Sequence, residues 1–302
     1  AIGALSFEPE ADIAQQQAEM DLLALARESL VVIEDEDTEA LKNLLIIGGS
    51  PQGARPKALI KFDSTNNRVS TLPTAAGDDW LVKFPARGEN QSVCAAEHVY
   101  AQLAKQCGLN MPDTQFFDLG SGYGAFGVKR FDRDNGMRIH VHTLAGLLNT
   151  NFRLPTLSYT QLLRCIRALT HSELEVIQGY RQCVFNVVFH NRDDHSKNFS
   201  FMMDSVGNWA LSPAYDLSFN TGLNGEHNMD IMGEGKNIKL KHLLDLAKNS
   251  DIKLATAKGI IEHTVSIASN LNHDLSHYPI DAALREHICQ HVQKNINRLK
   301  SE

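Results

Sequence analysis

The chain carries the sequence HNRDDHSKN at residues 190–198, at the end of a stretch with helical spacing. The residues that follow, NFSFMMDSVGNWALSPAYDLSF at 198–219, predict two short strands, because apolar alternation is interrupted at 204–208 by Asp, Gly and Asn. A polar loop between a helix and a hairpin of this kind predicts a functional site.

Asp193 and Asn198 lie five positions apart in this loop, which is the spacing of the protein-kinase catalytic loop. Phosphoryl transfer requires one carboxylate at the attacking hydroxyl and hard oxygen ligands that hold Mg²⁺ on the phosphates. Asp216 closes the predicted hairpin, so its carboxylate would return beside Asn198 and complete a ligand set. From spacing alone, surface caps and a turn explain these residues equally well.

Lys83 lies in the strand-like sequence WLVKFP at 80–85, where its apolar neighbours would desolvate a lysine that lacks a partner. A helix predicted at 92–107 supplies Glu97, and protein kinases place such a Lys and Glu pair at the nucleotide phosphates. The alternative is that Lys83 reaches solvent from an edge strand and Glu97 is exposed on its helix.

A glycine-rich stretch, GGSPQGARPK at 48–57, lies between two apolar runs ahead of Lys83. Its backbone amides could cradle phosphate, although it matches neither the Walker loop nor the G-x-G-x-x-G pattern. The candidate nucleotide-binding residues in this stretch are Ser50, Gly53 and Lys57.

The 302 residues, of which 43% are hydrophobic and 22% charged, are typical of an ordinary globular protein of about two domains. Helical spacing is seen at about residues 12–28, strand-like runs dominate from residue 44 to 131, and long helical periods dominate from about residue 159. The sequence therefore predicts an α+β protein with a β-rich domain at 1–131, which holds the phosphate-binding loop. The second domain, 132–302, would be mostly helical and hold the catalytic loop and the metal-binding hairpin.

The charge balance, 29 basic against 36 acidic residues, gives a net charge of −7 and so no overall positive field for nucleic acid or an anionic membrane. Five cysteines without a C-x-x-C pair indicate neither a disulfide framework nor a cysteine zinc site, which favours a reducing cytoplasm. No apolar run reaches the ~18 residues of a membrane span. The start, AIGALSFEPE, lacks an initiating Met and the features of a signal peptide, and suggests that residues are missing upstream.

Taken together, these segments resemble the HipA-like family of bacterial serine/threonine kinases, the toxin components of HipBA-type toxin–antitoxin systems. The resemblance covers about residues 44–247, and NRDDHSKNFSF followed by LSPAYD is its most specific part. The matching blocks are GGSPQGARPKALI, WLVKFP, the helix carrying AAEH, VKRFDR, NRDDHSKNFSF, LSPAYDLSF and GKNIKLKHLLDLA. The opening residues also resemble the end of the small amino-terminal subdomain of these proteins.

This resemblance implies a two-lobed, protein-kinase-like fold and a role for each matching residue. Asp193 would be the catalytic base, with Lys197 near the transferred phosphate. Asn198 and Asp216 would hold magnesium, and Lys83 would contact the nucleotide phosphates.

The same resemblance implies a hinge and a regulatory serine. Lys129 and Phe131 fall where the family holds adenine through backbone groups; the family's usual acidic residue is Lys here, which limits the contact to the main chain. Ser50 aligns with a loop serine that such kinases autophosphorylate. A phosphate there adds about two negative charges to a loop meant to hold phosphate, which would switch off ATP binding.

The implied activity is transfer of the ATP γ-phosphate, with Mg²⁺, to a protein hydroxyl, typically of an aminoacyl-tRNA synthetase. The implied partner is a DNA-binding antitoxin, while direct binding to nucleic acid or membrane is not expected of this chain. Two alternatives remain open, a nucleotide-binding regulatory pseudokinase and a metal-dependent nuclease using Asp193, Asp194, His195 and Asp216. The complete set of Lys, Asp, Asn and Asp argues against the first, and the acidic charge balance argues against the second.

Overall fold

The computed structural model describes residues 3–5, 22–26, 55–151 and 157–300. The described residues divide into two compact units, one from 1–98, 112–138 and 278–280 and the other from 99–111, 139–277 and 281–302. The units are therefore not continuous in sequence, because short segments of each interrupt the other. The division into 1–131 and 132–302 stays a proposal for the domain organisation.

The first unit contains a five-stranded antiparallel sheet with the strand order β2-β1-β3-β5-β4. Its strands are β1 (Lys57–Asp63), β2 (Arg68–Ser70), β3 (Asp78–Lys83), β4 (Thr114–Gly120) and β5 (Tyr123–Lys129), and a small hairpin follows, β6 (Arg133–Asp134) with β7 (Met137–Arg138). The apolar runs in β1, β3 and β5 predicted three of these strands. The sequence analysis did not identify β4, in which polar residues interrupt the apolar pattern.

The core of this sheet follows from period-two alternation in β1, where Ala58, Ile60 and Phe62 are buried and their neighbours are only half-buried. The Phe62 ring packs edge-on against Trp80 and Phe117, with centroid distances of 5.1 and 5.2 Å. The helical residues 22–26 contribute Leu22, Leu25 and Ala26 to the same core. This packing fixes β3, which ends at Lys83.

Helix α1 (Gln91–Gln106) lies within one residue of the predicted 92–107. It begins where the Asn90 side chain accepts a hydrogen bond from the Ser92 amide at 2.8 Å, a common way to satisfy a helix amino terminus. Glu97 is buried on this helix although it is acidic. A buried carboxylate needs a partner, and its partners are described with the site.

The second unit is mostly helical. Its helices are α2 (Leu144–Leu147), α3 (Tyr159–Thr170), α4 (Glu173–Val188), α5 (Leu240–Asn249), α6 (Leu254–Ala268), α7 (Leu271–Ser276) and α8 (Ala282–Lys300), with a 3₁₀ turn at Leu223–Gly225. Ser158 and Gln161 form a capping box at the start of α3. The helical spacing in the sequence predicted the five long helices of this set.

A three-stranded antiparallel sheet in the second unit has the order β10-β9-β8, formed by β8 (His140–Thr143), β9 (Ser200–Met203) and β10 (Trp209–Leu211). The predicted hairpin of β9 and β10 is confirmed. Its turn closes where the Asp204 carboxylate accepts the amides of Val206 and Asn208 at 2.9 and 2.8 Å. The third strand, β8, was not predicted, because all four of its residues are half-buried and show no alternation.

None of the helices within the described ranges is long and apolar enough to cross a membrane. All five cysteines are free thiols, and Cys94, Cys107 and Cys183 are buried.

Candidate active site

The loop at 190–198 begins after α4, where His190 turns the chain in the left-handed region with φ of +59°. Its ring stacks on Phe219 with centroids 5.5 Å apart, and Asn295 lies 3.0 Å from its Nδ1. The loop also pairs with the residues that leave the hairpin, because the amide of Arg192 donates to the Asn220 carbonyl and the Asn220 amide donates to the His190 carbonyl. Loop and hairpin are thus held side by side.

Asp194 is the buried anchor of the loop. One of its carboxylate oxygens accepts the Tyr159 hydroxyl at 2.6 Å and His227 Nδ1 at 2.8 Å, and the other accepts the Asn228 amide at 2.8 Å. Three donors therefore hold this carboxylate inside the protein. Because the next-door Asp193 is half-exposed, two adjacent carboxylates have opposite environments.

The anchor continues into a hydrogen-bonded network. Asn186 donates to the Tyr159 hydroxyl at 3.0 Å and accepts from Asn191 at 3.0 Å, while the Asn228 side chain donates to the Arg192 carbonyl at 3.0 Å. These hydrogen bonds favour one loop conformation, although the buried Oδ1 atom of Asn191 has no donor among the described residues. The sequence analysis did not identify these supporting residues.

Asp193 keeps 45% of its side chain exposed, with His195 Nε2 3.7 Å from its carboxylate. Burial raises the pKa of Asp193, the charges of Asp216 and Asp194 raise it further, and His195 opposes them. A carboxyl with a raised pKa and an exposed face suits a general base.

Asn198 is buried, and its amide nitrogen donates to the Asp193 carbonyl at 2.8 Å. This bond fixes the carboxamide across the loop. Its oxygen makes no hydrogen bond with any residue of the described ranges, so it is left as an acceptor at the end of the loop.

Asp216 is exposed and lies in the left-handed region with φ of +56°. The hydroxyl of the preceding residue, Tyr215, donates to the Lys197 carbonyl at 2.6 Å and lies 2.5 Å from the Ser200 hydroxyl. Tyr215 directly precedes Asp216, and Lys197 directly precedes Asn198. The hydrogen bond from Tyr215 to Lys197 therefore holds Asp216 near the end of the loop at 190–198. Lys197 itself is exposed.

The donor set of Asn198 and Asp216 fits Mg²⁺. Both offer hard oxygen atoms, and magnesium in phosphoryl-transfer sites is bound by one or two carboxylates, with water and phosphate oxygens filling the remaining positions. Burial is the main cause of the raised pKa of Asp193, and the charges of Asp216 and Asp194 contribute to it. Within the part of the chain that the structure describes, no three or more His, Cys, Asp or Glu side chains are grouped to hold a metal.

Lys83 and Glu97 form the predicted ion pair in the first unit. Lys83 Nζ lies 2.6 Å from Glu97 Oε1, and the two side chains are only 8% and 2% exposed. The Lys83 ammonium also lies 5.6 Å from the centroid of the Phe126 ring, within reach of a cation–π contact. The pair is desolvated, so its geometry is more constrained than that of a surface salt bridge.

Arg55 contacts the carboxylate of the Lys83–Glu97 pair, and the sequence analysis did not identify it. It approaches the second oxygen of Glu97 at 3.3 Å and holds Glu89 with two hydrogen bonds of 2.8 Å. Burial alone would lower the pKa of Arg55, but the bond to Glu89 and the charges of Glu97 and Glu89 raise it overall. Arg55 could have been identified from the sequence, because it lies in the GGSPQGARPK stretch at 48–57 and the acidic residues Glu89 and Glu97 follow later in the chain.

The remaining predicted residues of the first unit are placed as follows. Lys57 begins β1, pairs in register with Lys83, and donates to the Arg55 carbonyl at 3.1 Å. Phe131 is half-buried in the turn after β5. Ser50 and Gly53 lie outside the described residues.

Lys129 ends β5, and its side chain pairs with Asp78 at 2.7 Å. Its backbone amide already donates to the Asp113 carbonyl at 2.8 Å. A main-chain contact of Lys129 with adenine is therefore limited to its carbonyl oxygen.

The burial of His190 predicts how the stability of the folded protein changes at low pH. Burial lowers the pKa of His190 from 6.5 to about 3, so the folded protein keeps it neutral while the unfolded chain takes up a proton below about 6.5. The contribution of the neutral His190 to the free energy of unfolding is fully present above pH 6.5. It is lost as pH falls toward 3, at about 1.4 kcal/mol per pH unit. We expect His190→Asn, which tolerates the same backbone and can still bond to Asn295, to lose less stability between pH 7 and 4 in urea unfolding.

The matched control is His171→Asn, because His171 has a similar φ of +50° but is exposed. It should leave the pH dependence of the wild type unchanged. Equal pH dependence for His190→Asn and the wild type would contradict the buried neutral state of His190.

The sequence matches one family model, that of the HipA-like C-terminal domain, over residues 49–271. It is 28% identical over 190 residues to "Putative kinase Y4dM" of Sinorhizobium fredii, covering 54% of this chain and 46% of that protein. It is 26% identical over 191 residues to a "Putative kinase" of Haemophilus influenzae, covering 56% and 52%. The chain thus matches about half the length of these curated relatives.

The structure is similar to two solved structures. One is HipA of Shewanella oneidensis, from a complex of HipA, HipB and operator DNA, with a TM-score of 0.69 at 20% identity over 99% of this chain and 76% of that chain. The other is the Helicobacter pylori proinflammatory kinase CtkA, with a TM-score of 0.51 at 15% identity over 74% and 89%. These similarities confirm the predicted α+β, kinase-like fold.

Proposed function

The chain belongs to the HipA-like C-terminal domain family, and from this premise we propose that it is an ATP- and Mg²⁺-dependent kinase of protein serine or threonine hydroxyls. The observation that carries the proposal is the loop at 190–198. Its buried Asp194 is held by three donors, its neighbour Asp193 faces outward with a raised pKa, and Asp216 is returned to its end.

Three residues of the loop, together with Asp216, then have a chemical role. Asp193 accepts the proton of the attacking hydroxyl, and the bond from Asn198 to its backbone keeps the loop in place. Asn198 and Asp216 would hold Mg²⁺, which when bound neutralises charge on the phosphates. Lys197 would lie near the transferred phosphate.

In the first unit, Lys83 would contact the nucleotide phosphates while Glu97 fixes its ammonium group. Lys57, Ser50 and Gly53 would contribute to phosphate binding, and the backbone of Lys129 and Phe131 would contact adenine. We further propose that Ser50 is the autophosphorylation site.

The two alternatives are less well supported. A nuclease that used Asp194 as a metal ligand would have to break three hydrogen bonds to that carboxylate. A regulatory pseudokinase would have no use for the raised pKa of Asp193, which costs stability when that carboxylate ionises.

A target protein and an antitoxin are the proposed partners. The similar Shewanella oneidensis HipA is found with HipB and operator DNA, which supports a DNA-binding antitoxin for this chain in the cytoplasm. The family resemblance suggests an aminoacyl-tRNA synthetase as the phosphorylated target.

The test is incubation of the full chain with γ-labelled ATP, with and without Mg²⁺. We expect label on Ser50 only with Mg²⁺, and we expect Lys83→Met to reduce incorporation about 100-fold or more, because the phosphates lose their ammonium partner. Arg55 remains beside Glu97 in this variant, so the carboxylate is not left without a cation.

Lys61→Met is the matched control, since Lys61 is also a strand lysine and pairs with Asp79 at 2.9 Å. It should label like the wild type. Nucleotide binding by the wild type without any label would support the regulatory alternative, and DNA cleavage without nucleotide would support the nuclease.

A further inference from the structure

A cavity of about 200 Å³ lies in the second unit, on the side of α4 that faces the end of β10. Its polar wall is formed by Glu175, Gln178 and Gln182. The opposite, mainly apolar wall is formed by Leu109, Leu211 and Ala214, with the polar groups of Asn110 and Ser212 beside them. None of the proposed catalytic residues lines this cavity.

The polar wall is a single stripe on α4. Glu175, Gln178 and Gln182 follow one another at spacings of three and four, which places them on one helix face. Gln182 is 4% exposed. The Oε1 atom of Gln178 is likewise buried and has no donor among the described residues.

An unpaired carboxamide oxygen such as that of Gln178 is costly, since a buried polar group without a hydrogen bond loses its hydration and gains nothing in return. A purely structural role would be served better by leucine or methionine. The stripe is therefore explained by a ligand that supplies donors.

Glu175 adds a negative charge to the same wall. Burial raises the pKa of Glu175, and the backbone amide of Leu211 opposes that rise only in part. No ion pair joins Glu175 to a basic residue of the described chain. A bound cation would satisfy this carboxylate.

The facing wall provides no donor to the Gln178 oxygen. The Ser212 hydroxyl donates to the Pro213 carbonyl at 3.0 Å, and the amides of Ser212 and Ala214 donate to the carbonyls of Ser200 and Asn110. The cavity thus presents one carboxylate and three carboxamides, each of which offers an acceptor oxygen and a donor NH2 group.

We propose that this cavity binds a guanidinium group, presented by an arginine side chain of a protein partner. A guanidinium carries five donors in a planar fork, which suits a carboxylate and carboxamides spread along two helical turns better than a compact ammonium. The volume accommodates this group, or else about six waters at about 30 Å³ each. This inference does not depend on the proposed kinase activity.

Leu174 supports a protein as the source of the guanidinium. It lies one helical turn before Gln178, and 77% of its surface is exposed although it is a large apolar residue. A peptide that inserts an arginine beside Gln178 can cover Leu174 with an adjacent apolar side chain.

The test is titration of the full chain with acetyl-Arg-Leu-amide, followed by calorimetry and NMR. We expect saturable binding at one site, and at least ten-fold weaker binding of acetyl-citrulline-Leu-amide, which has the same shape but no charge. Equal binding of the two peptides, or no binding of the arginine peptide, would show that the cavity holds only water and overturn the proposal. Free L-arginine binding more tightly than the peptide would overturn the assignment to a protein partner.

Two variants locate the site. Glu175→Gln and Gln178→Leu should each weaken binding of the arginine peptide at least ten-fold, and Gln178→Leu should melt at the same or a higher temperature because it removes an unpaired carboxamide oxygen. Glu262→Gln, at an exposed position on α6, is the control that should bind like the wild type. Undiminished binding by both cavity variants would contradict the site.

Discussion

Replacing Asp193 by Asn is expected to lower phosphate transfer by about a thousand-fold or more and, at neutral pH, to raise the stability of the fold. The loss of transfer follows because a carboxamide cannot take the proton of the attacking hydroxyl. The gain in stability follows because burial and the charges of Asp216 and Asp194 disfavour the ionised form of Asp193 in the folded protein.

The sign of the stability change can be checked through its pH dependence. A folded-state pKa above the unfolded value means that Asp193 costs nothing at low pH and destabilises the fold as pH rises through that folded pKa. The advantage of Asp193→Asn in melting temperature should therefore be present at pH 7 and disappear toward pH 3.

Asp245→Asn, in α5, makes the same chemical change away from the loop and should alter neither property. Wild-type rates in Asp193→Asn would refute its role as the base. A variant that is less stable at pH 7 would refute the electrostatic description of the loop.

Asp194→Asn, the same substitution at the next residue, should lower the stability of the fold, whereas Asp193→Asn should raise it. Asp194→Asn replaces an oxygen that accepts both the Tyr159 hydroxyl and His227 Nδ1 by an amide group that can only donate. Two buried donors then lose their acceptor at about 1–3 kcal/mol each, so we expect a total loss of about 2–5 kcal/mol in the free energy of unfolding.

Urea unfolding at pH 7 measures this loss, and Asp193→Asn serves as the matched neighbour. The two variants differ by one position in sequence and by the direction their carboxylates face. A loss below about 0.5 kcal/mol for Asp194→Asn would mean that the three short bonds do not anchor the loop.

Much of the fold could be predicted from local patterns. The period-two alternation of β1 and the helical spacing of α3 are dictated by which faces are buried, and that information is present in a few neighbouring residues. The pairing of Lys83 with Glu97 was also predictable, because a lysine among apolar strand residues requires a carboxylate and the next helix supplies one.

The support of the loop could not be predicted in this way. Tyr159, His227 and Asn228 lie 33 to 35 positions from Asp194 and reach it only through the packing of α3 and the segment after the hairpin. No spacing rule connects them. Nothing local marks Asp194 as inward and Asp193 as outward, since the two residues are chemically identical.

Asp216 occupies a left-handed backbone conformation, which glycine and asparagine accept more readily than most other residues. The substitutions easiest for the chain to tolerate at this position are therefore the ones that remove the carboxylate. Under the proposed role of Asp216 in holding Mg²⁺, a single tolerated exchange at this position would remove phosphate transfer and leave the protein folded.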